Sequence, residues 1–304
     1  MEAIVLCLEL FEEGSHILCT EDLYGGTVRM FESIGEKRGV TFSYVDTSDI
    51  ELVRKSIRKE TKALYIETPS NPTMKVTDFA AMREIADEYG LLIIADNTFL
   101  TPYFQKPLTL GADLVVHSGT KFLGGHNDVL AGFVCIKGKG LSEKLRYTYK
   151  TVGCCLPPFD SFLVLRGIKT LSVRLERQQE NAKKIALWLK DRPEVKAVYY
   201  TGLPEHPGYE INQKQASGCG SMISFKVDSE KRARKLLESV KLISYAESLG
   251  GVESLITYPM LQTHGDVPVE TRERLGITED FLRMSVGIEN AEDLIADLEQ
   301  ALAE

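Results

Sequence analysis

The chain has 304 residues, of which 43% are hydrophobic and 26% charged, and its formal net charge is −8. This composition is that of a globular protein of about two domains, and its acidic balance argues against nucleic-acid binding, which needs a basic surface. No apolar stretch is long enough to span a membrane. The six cysteines form no C-x-x-C pair and the five histidines show no ligand spacing, so we expect a reduced, cytoplasmic protein without a metal site.

The first half of the chain alternates short apolar runs with amphipathic segments. An apolar spacing at Ile4, Leu8 and Phe11 predicts a first helix. The apolar runs predict β-strands at residues 16–19, 41–45, 63–67, 91–95, 114–117 and 132–136. Helices are predicted between them at residues 26–38, 49–59 and 78–89. This alternation is typical of a doubly wound α/β domain with a largely parallel sheet, in which ligands bind beyond the carboxyl ends of the strands.

The pattern changes near Pro157 and Pro158. One long helix is predicted over residues 161–191, with charged and polar side chains on its outer face. A smaller α+β unit follows, with predicted strands at residues 195–200, 222–227 and 281–286 and predicted helices at residues 229–237 and from 291 onward. We therefore expect two domains, residues 1–167 and 168–304.

Polar side chains follow three of the strands predicted in the first domain. Asn71 comes after the strand at 63–67, and Asp96 comes directly after the strand at 91–95. Ser118, Thr120 and Lys121 come after the strand at 114–117. Pyridoxal phosphate (PLP) needs such a set, namely a lysine amine that holds it, an acid for its ring nitrogen and donors for its oxygen atoms.

Six short motifs follow one another along nearly the whole chain. They are DLYGGT at residues 22–27, ETPSNPT at 67–73, ADNT at 95–98, HSGTKFLGG at 117–125, SLGGVES at 248–254 and LRMSVG at 282–287. In this order they resemble the Cys/Met metabolism PLP enzymes, which include cystathionine γ-synthase, cystathionine β- and γ-lyases and methionine γ-lyase. The resemblance implies an enzyme of PLP fold type I, aspartate aminotransferase-like, with a large doubly wound domain and a smaller α+β C-terminal domain.

The resemblance implies three catalytic residues. Lys121 holds PLP, although a single lysine after a strand is more often a solvated one. Asp96 pairs with the ring nitrogen and keeps it protonated, with a helix N-cap as the alternative. Tyr24 stacks on the ring and takes part in proton transfer near the leaving group, with core packing as the alternative.

Further cofactor contacts are expected at the phosphate and at the phenolate oxygen. Ser118 and Thr120 lie two residues apart, which places both hydroxyls on one face of an extended segment, suitable for a phosphate. Asn71 is expected to donate to the phenolate oxygen, and a role in the turn of its own segment is the rival interpretation. Met1 falls at a helix start whose free amide groups would face the phosphate.

The resemblance also implies residues that bind an amino-acid substrate. Arg283 matches the arginine for the α-carboxylate, where a planar fork fits better than an ammonium group. Ser248 lies in the segment that lines the substrate pocket, and Asn71 borders it. Glu253 matches an acid that would bind a distal ammonium group, and a surface glutamate is an equal alternative.

These assignments predict a trans-sulfuration enzyme of methionine and cysteine metabolism. It would break or make a C–S bond at Cβ or Cγ as a cystathionine lyase or a γ-synthase, and the residues leave these activities and methionine γ-lyase open. An aminotransferase is disfavoured because the motifs match the sulfur enzymes.

The resemblance gives a further expectation about the amino end. The family carries an N-terminal arm that contributes to a homotetramer and lends phosphate contacts to the neighbouring subunit. Because Met1 falls at the methionine of a Ser-Gly-Met turn that belongs to this segment and binds the phosphate, we expect a chain that lacks the arm, holds PLP weakly and has low activity. A catalytically impaired fragment is therefore the alternative to an active enzyme.

Overall fold

The chain folds around two β-sheets in a computed structural model that describes residues 1–265 and 267–303. The strands of the first sheet are β1 (His16–Thr20), β2 (Thr41–Val45), β3 (Thr61–Glu67), β4 (Leu92–Asp96), β5 (Leu114–Ser118) and β6 (Gly132–Ile136). Their order is β2-β1-β3-β4-β5-β6, and neighbours are parallel except β5 and β6, which are antiparallel. The predicted, largely parallel sheet is confirmed.

Helices cover both faces of this sheet. They are α1 (Glu2–Leu8), α2 (Gly25–Met30), α3 (Ile50–Ser56), α4 (Phe79–Tyr89), α5 (Thr101–Phe104), α6 (Lys139–Val152) and α7 (Pro158–Ile168). Successive strand residues point to opposite faces. Ile17 therefore packs in the core beneath α1 and α6, whereas Leu18 packs in the core beneath α3 and α4. Burial on both faces explains why the inner strands β1, β3, β4 and β5 are largely apolar, whereas the edge strands β2 and β6 are only partly buried.

Both ends of α4 carry residues that commonly cap helices. Asp78 caps its first turn by accepting hydrogen bonds from the amides of Ala80 (2.8 Å) and Ala81 (3.3 Å). Gly90 ends it in the left-handed conformation with φ of 68°, which costs glycine little. The 14-residue helix α6 was not predicted.

The second sheet has the order β7-β8-β11-β10-β9. Its strands are β7 (Val195–Tyr199), β8 (Met222–Val227), β9 (Ser244–Tyr245), β10 (Leu255–Thr257) and β11 (Phe281–Ser285). The accompanying helices are α8 (Leu171–Lys190), α9 (Tyr209–Gln215), α10 (Glu230–Ser239), α11 (Val269–Arg274) and α12 (Ala291–Ala303). Buried side chains of α8, α10 and α12 form one core with this sheet.

The single helix predicted over residues 161–191 is wrong, because α7 and α8 are separate helices. The carbonyl oxygen of Gly167 accepts hydrogen bonds from the Thr170 hydroxyl (3.1 Å) and from Nη2 of Arg174 (2.9 Å), which ends α7. A side chain at position 167 would also collide with the backbone of Gly124. The end of α7 therefore packs closely against the loop that follows β5.

The described residues contain no helix long and apolar enough to cross a membrane. Within the same two ranges, no group of three or more His, Cys, Asp or Glu side chains is arranged to hold a metal ion.

Candidate active site

The loops after neighbouring strands of the first sheet meet at its carboxyl edge. Tyr24, Asn71 and Lys121 follow β1, β3 and β5, and Asp96 is the last residue of β4; the four strands are adjacent in the sheet. Ser248, from the connection between β9 and β10, reaches Lys121 from the second sheet. The site is thus built where the two sheets face each other.

Lys121 is largely buried and its amine contacts the second sheet. Its Nζ donates to the Ser248 hydroxyl at 3.0 Å. Behind this contact a Cβ at Gly250 would lie 2.6 Å from the amide nitrogen of Phe122, so only glycine allows the two segments to meet so closely. Burial lowers the pKa of Lys121 to about 8, the positive charge of Arg283 acts in the same direction, and Glu247 opposes both. The neutral, nucleophilic form of this amine is therefore a minority near neutral pH, but a much larger one than for an ordinary lysine.

Asp96 is a buried carboxylate at the end of β4. Its Oδ1 accepts hydrogen bonds from the amide of Thr98 (3.0 Å) and from the Thr98 hydroxyl (2.6 Å). Burial raises its pKa, while the Thr98 donors and the positive amino group of Met1 lower it. In the parts of the chain that are described, no lysine, arginine or histidine forms an ion pair with it, so a cation from a bound ligand would stabilise the ionised carboxylate.

Arg283 lies on β11 and is 1% exposed. Its Nη1 donates to Oδ1 of Asn71 at 2.7 Å. Its Nη2 donates to the carbonyl of Ser248 at 3.1 Å and to the hydroxyl of Thr257 at 3.2 Å, and its Nε has no partner. Burial lowers its pKa to about 10, and Glu247, Glu67 and Tyr24 act in the opposite direction. The guanidinium thus stays charged with uncharged partners and an unused donor.

These groups fit PLP together with an amino acid. A buried acid without a cation suits a protonated ring nitrogen, a buried amine of lowered pKa suits an aldehyde, and a buried guanidinium with an unpartnered donor suits a carboxylate. Each buried charge would gain a partner of the opposite sign, which buried charges require.

The expected geometry of the two hydroxyls is wrong. Ser118 ends β5, but a helical turn from Gly119 to Leu123 holds Thr120, so the segment is not extended and the two hydroxyls do not share a strand face. The Thr120 hydroxyl donates to the carbonyl of Ala131 (3.3 Å) and accepts from its amide (3.0 Å). Contacts of either hydroxyl with a phosphate stay a prediction.

Tyr24 is 45% exposed and precedes α2, where its amide donates to Oε2 of Glu67 at 2.9 Å. Both glycines after it make room for protein atoms. A Cβ at Gly26 would lie 2.5 Å from Cε1 of Tyr24, and one at Gly25 would lie 2.6 Å from the carbonyl oxygen of Thr263. Gly26 therefore lets the tyrosine ring lie against the turn, and Gly25 lets the turn approach Thr263.

Met1 and Glu253 lie at the margin of the site. Met1 is half exposed and precedes α1, and its amino group is close enough to lower the pKa of Asp96. Glu253 is exposed and accepts a hydrogen bond from Nδ2 of Asn127 at 2.9 Å. This contact orients the Glu253 carboxylate, and its part in substrate binding stays a prediction.

Some residues of the site were not singled out from the sequence. Glu67 and Asp22 are buried acids inside two of the six motifs, and Thr257 holds the guanidinium of Arg283. His264 lies 3.9 Å from Asp22, with both residues buried. The motifs signalled the two acids, but no pattern pointed to Thr257 or His264.

Comparisons with known proteins point to one family. The family model described as Cys/Met metabolism PLP-dependent enzyme matches residues 1–303. The chain is 50% identical over 302 residues to the cystathionine γ-lyase of Bacillus subtilis (99% of this chain, 80% of the relative) and 47% identical over 305 residues to the cystathionine β-lyase of Coxiella burnetii (99% and 79%). The solved structure of Lactobacillus plantarum cystathionine γ-lyase complexed with L-serine superposes with a TM-score of 0.97 at 44% identity (99% and 79%).

Fold and site together define a PLP-dependent enzyme of fold type I. The chain belongs to the Cys/Met metabolism PLP-dependent enzymes. Within that family it is of the cystathionine lyase and synthase type, and PLP is its cofactor.

The lowered pKa of Lys121 predicts how the protein takes up PLP. Only the neutral amine reacts with an aldehyde, so the capture rate of PLP-free protein should rise with pH around a midpoint near 8, not near the usual value of 10.5. Stopped-flow absorbance measures this rate, and borohydride followed by peptide mapping should leave the pyridoxyl group on Lys121. Lys121→Ala is the control and should capture none. A mark on another lysine, or a midpoint near 10.5, contradicts the assignment.

If the buried guanidinium of Arg283 binds the substrate carboxylate, its replacement should weaken substrate binding strongly. Arg283→Lys keeps the charge but loses the fork, so KM for the amino acid should rise about 10- to 100-fold, and Arg283→Ala should be at least as severe. Steady-state kinetics give KM, and the matched exchange Arg234→Lys on the exposed face of α10 should leave it unchanged. An unaltered KM for Arg283→Lys would show that Arg283 supplies charge alone.

Proposed function

We propose that this enzyme cleaves the C–S bond of L-cystathionine at Cβ or Cγ. One arrangement carries the proposal, in which Ser248 joins the amine of Lys121 through its hydroxyl and the guanidinium of Arg283 through its carbonyl. A base and a carboxylate-binding group are thereby held side by side. An α-amino acid needs this, because its Cα proton and its carboxylate are on adjacent atoms.

PLP, when bound, supplies an electron-withdrawing ring that makes the Cα proton of the attached amino acid acidic. Arg283 binds the α-carboxylate and orients the Cα–H bond. Lys121 removes the Cα proton through its neutral Nζ, and Asp96 holds a proton on the ring nitrogen by its negative charge. Tyr24 donates its hydroxyl proton to the departing sulfur, from a ring that lies at the exposed mouth of the site.

Glu253 is proposed to recognise the far end of the substrate. Cystathionine carries a second amino group, and an exposed carboxylate held by Asn127 is complementary to it. Because this ion pair would lie near solvent, its contribution is modest and serves selectivity more than catalysis.

We further propose that two domains meet at this site, residues 1–167 with the first sheet and 168–304 with the second. The break between α7 and α8 supports this boundary, since the second half of α8 belongs to the core of the second sheet.

The oligomeric assembly is proposed to form between copies of the chain through α6 and α7. Large apolar side chains along these helices are solvent-exposed: Tyr147 (75%), Val152 (63%), Phe159 (68%), Phe162 (56%) and Leu165 (64%). An apolar surface of this kind is typical of a homo-oligomer interface, which is richer in apolar side chains than the rest of a protein surface.

Product analysis tests the function. Incubation with L-cystathionine and water should yield pyruvate, ammonia and homocysteine if Cβ–S is cleaved, or 2-oxobutyrate, ammonia and cysteine if Cγ–S is cleaved, and cystathionine should be preferred over methionine. Glu253→Gln keeps the size of the side chain but removes its charge, so KM for cystathionine should rise about two- to fivefold, with no such change for methionine. Glu84→Gln, exposed on α4, is the control.

Net synthesis of cystathionine from cysteine and an acylated homoserine, without cleavage, would assign a γ-synthase instead. A preference for methionine in the parent enzyme would contradict the role of Glu253.

A charge on α7 should disrupt the assembly. Light scattering is expected to find an oligomer for the parent chain and a smaller species for Phe162→Asp, because a carboxylate buried in an apolar interface has no partner. Tyr89→Asp, at an exposed position of α4, should leave the mass unchanged. A monomeric parent chain, or the same mass for Phe162→Asp, contradicts this interface.

A further inference from the structure

Three buried acids surround the carboxyl edge of the first sheet. Asp22 follows β1, Glu67 ends β3 and Asp96 ends β4. Glu67 and Asp96 are register partners on neighbouring parallel strands, so their side chains leave the sheet on the same face. Asp96 has a role in the proposed reaction, whereas Glu67 has none so far.

The three acids differ in how well their charge is stabilised. Oδ2 of Asp22 accepts from the Ser70 hydroxyl (2.7 Å), the Thr73 amide (2.9 Å) and the Thr73 hydroxyl. Asp96 accepts two hydrogen bonds from Thr98. For Glu67, the described residues provide a single donor to the carboxyl group, the amide of Tyr24 at 2.9 Å.

Nearby charges also disfavour ionisation of Glu67. Asp96 and Asp22 act on it with the same sign, and the hydrogen bonds of the opposing cation, Arg283, are directed to Asn71, Ser248 and Thr257. Burial raises the pKa of Glu67 well above its ordinary value, Asp96 adds to this rise, and the Tyr24 amide and Arg283 oppose it. Two neighbouring buried carboxyl groups do not both ionise readily, and the one with fewer donors keeps the proton.

We propose that Glu67 is a positioning residue that anchors the main chain of Tyr24 as a neutral acid and leaves the negative charge of the pair on Asp96. This rests on the function proposed above, in which Tyr24 donates a proton to sulfur. Oε2 of Glu67 fixes the amide of Tyr24, and the missing side chain of Gly26 lets the ring fold back over the turn. A neutral anchor orients the tyrosine without adding a second charge beside Asp96.

Infrared difference spectroscopy tests the protonation state without any reaction. The PLP-loaded protein at neutral pH should show a carbonyl band of a protonated carboxylic acid that Glu67→Gln removes. Glu84→Gln, an exposed acid on α4, should leave the band in place. If Glu67→Gln removes only carboxylate bands, Glu67 is ionised and the proposal is overturned. This measurement stands even if cystathionine proves not to be the substrate.

The anchoring role is tested through Tyr24. Loss of one buried hydrogen bond in Glu67→Ala should lower kcat about 10- to 100-fold, with a smaller effect on KM. Glu67→Gln retains a neutral acceptor for the amide and should recover most of this loss. On a Tyr24→Phe background, Glu67→Ala should cost far less, since residues that act together are not additive. Additive losses, or Glu67→Gln as impaired as Glu67→Ala, overturn the proposal.

A readout that needs no turnover completes the test. The visible circular dichroism of bound PLP should respond to the placement of the Tyr24 ring, so it should change in Glu67→Ala and return towards the parent signal in Glu67→Gln. Equal signals for all three proteins contradict the anchor. If Glu67→Ala does not fold, Glu67→Gln alone tests the proposal: it should lose the infrared band of the protonated acid and keep kcat and dichroism near those of the parent protein.

Discussion

The site depends on buried charges that the protein itself does not neutralise. Arg283 is almost fully buried in the second sheet and Asp96 in the first, yet the ion pairs of the described residues include neither of them. Burying an unpaired charge costs several kcal/mol, which the fold must recover from packing elsewhere. In the proposed mechanism these unpaired charges bind ligands: the substrate carboxylate would pair with Arg283, and the protonated ring nitrogen of the cofactor would pair with Asp96.

Neutral hydrogen-bonding groups hold the charged side chains of the site in place without neutralising them. Asn71 accepts a hydrogen bond from Arg283, so that a neutral amide, and not an acid, occupies its Nη1. Ser248 does the same for Lys121 and adds its own carbonyl to Arg283. Because the first sheet supplies the acid and the amine and the second sheet supplies the guanidinium, the proposed substrate binding would depend on the contact between the sheets.

The sequence predicts the parallel sheet well because strands buried on both faces are apolar throughout and are flanked by turn residues. The polar residues at strand ends, Asp96 and Lys121 among them, were identifiable for the same reason. The break between α7 and α8 was not, since it follows from packing of Gly167 on a distant loop. Glu67 lies in one of the six motifs, but its role was out of reach, because that role arises from a contact with Tyr24, 43 positions away. Local patterns locate elements and their ends, but not the long-range contacts that give a buried acid its role.

In the proposed mechanism Asp96 retains its negative charge and thereby holds a proton on the cofactor ring. Nuclear magnetic resonance of the protein loaded with PLP labelled with ¹⁵N at the ring nitrogen tests it directly. At neutral pH the nitrogen should be protonated in the parent protein and unprotonated in Asp96→Asn, since a neutral amide does not stabilise a pyridinium. An unprotonated nitrogen in the parent protein, or a protonated one in both proteins, would contradict the account.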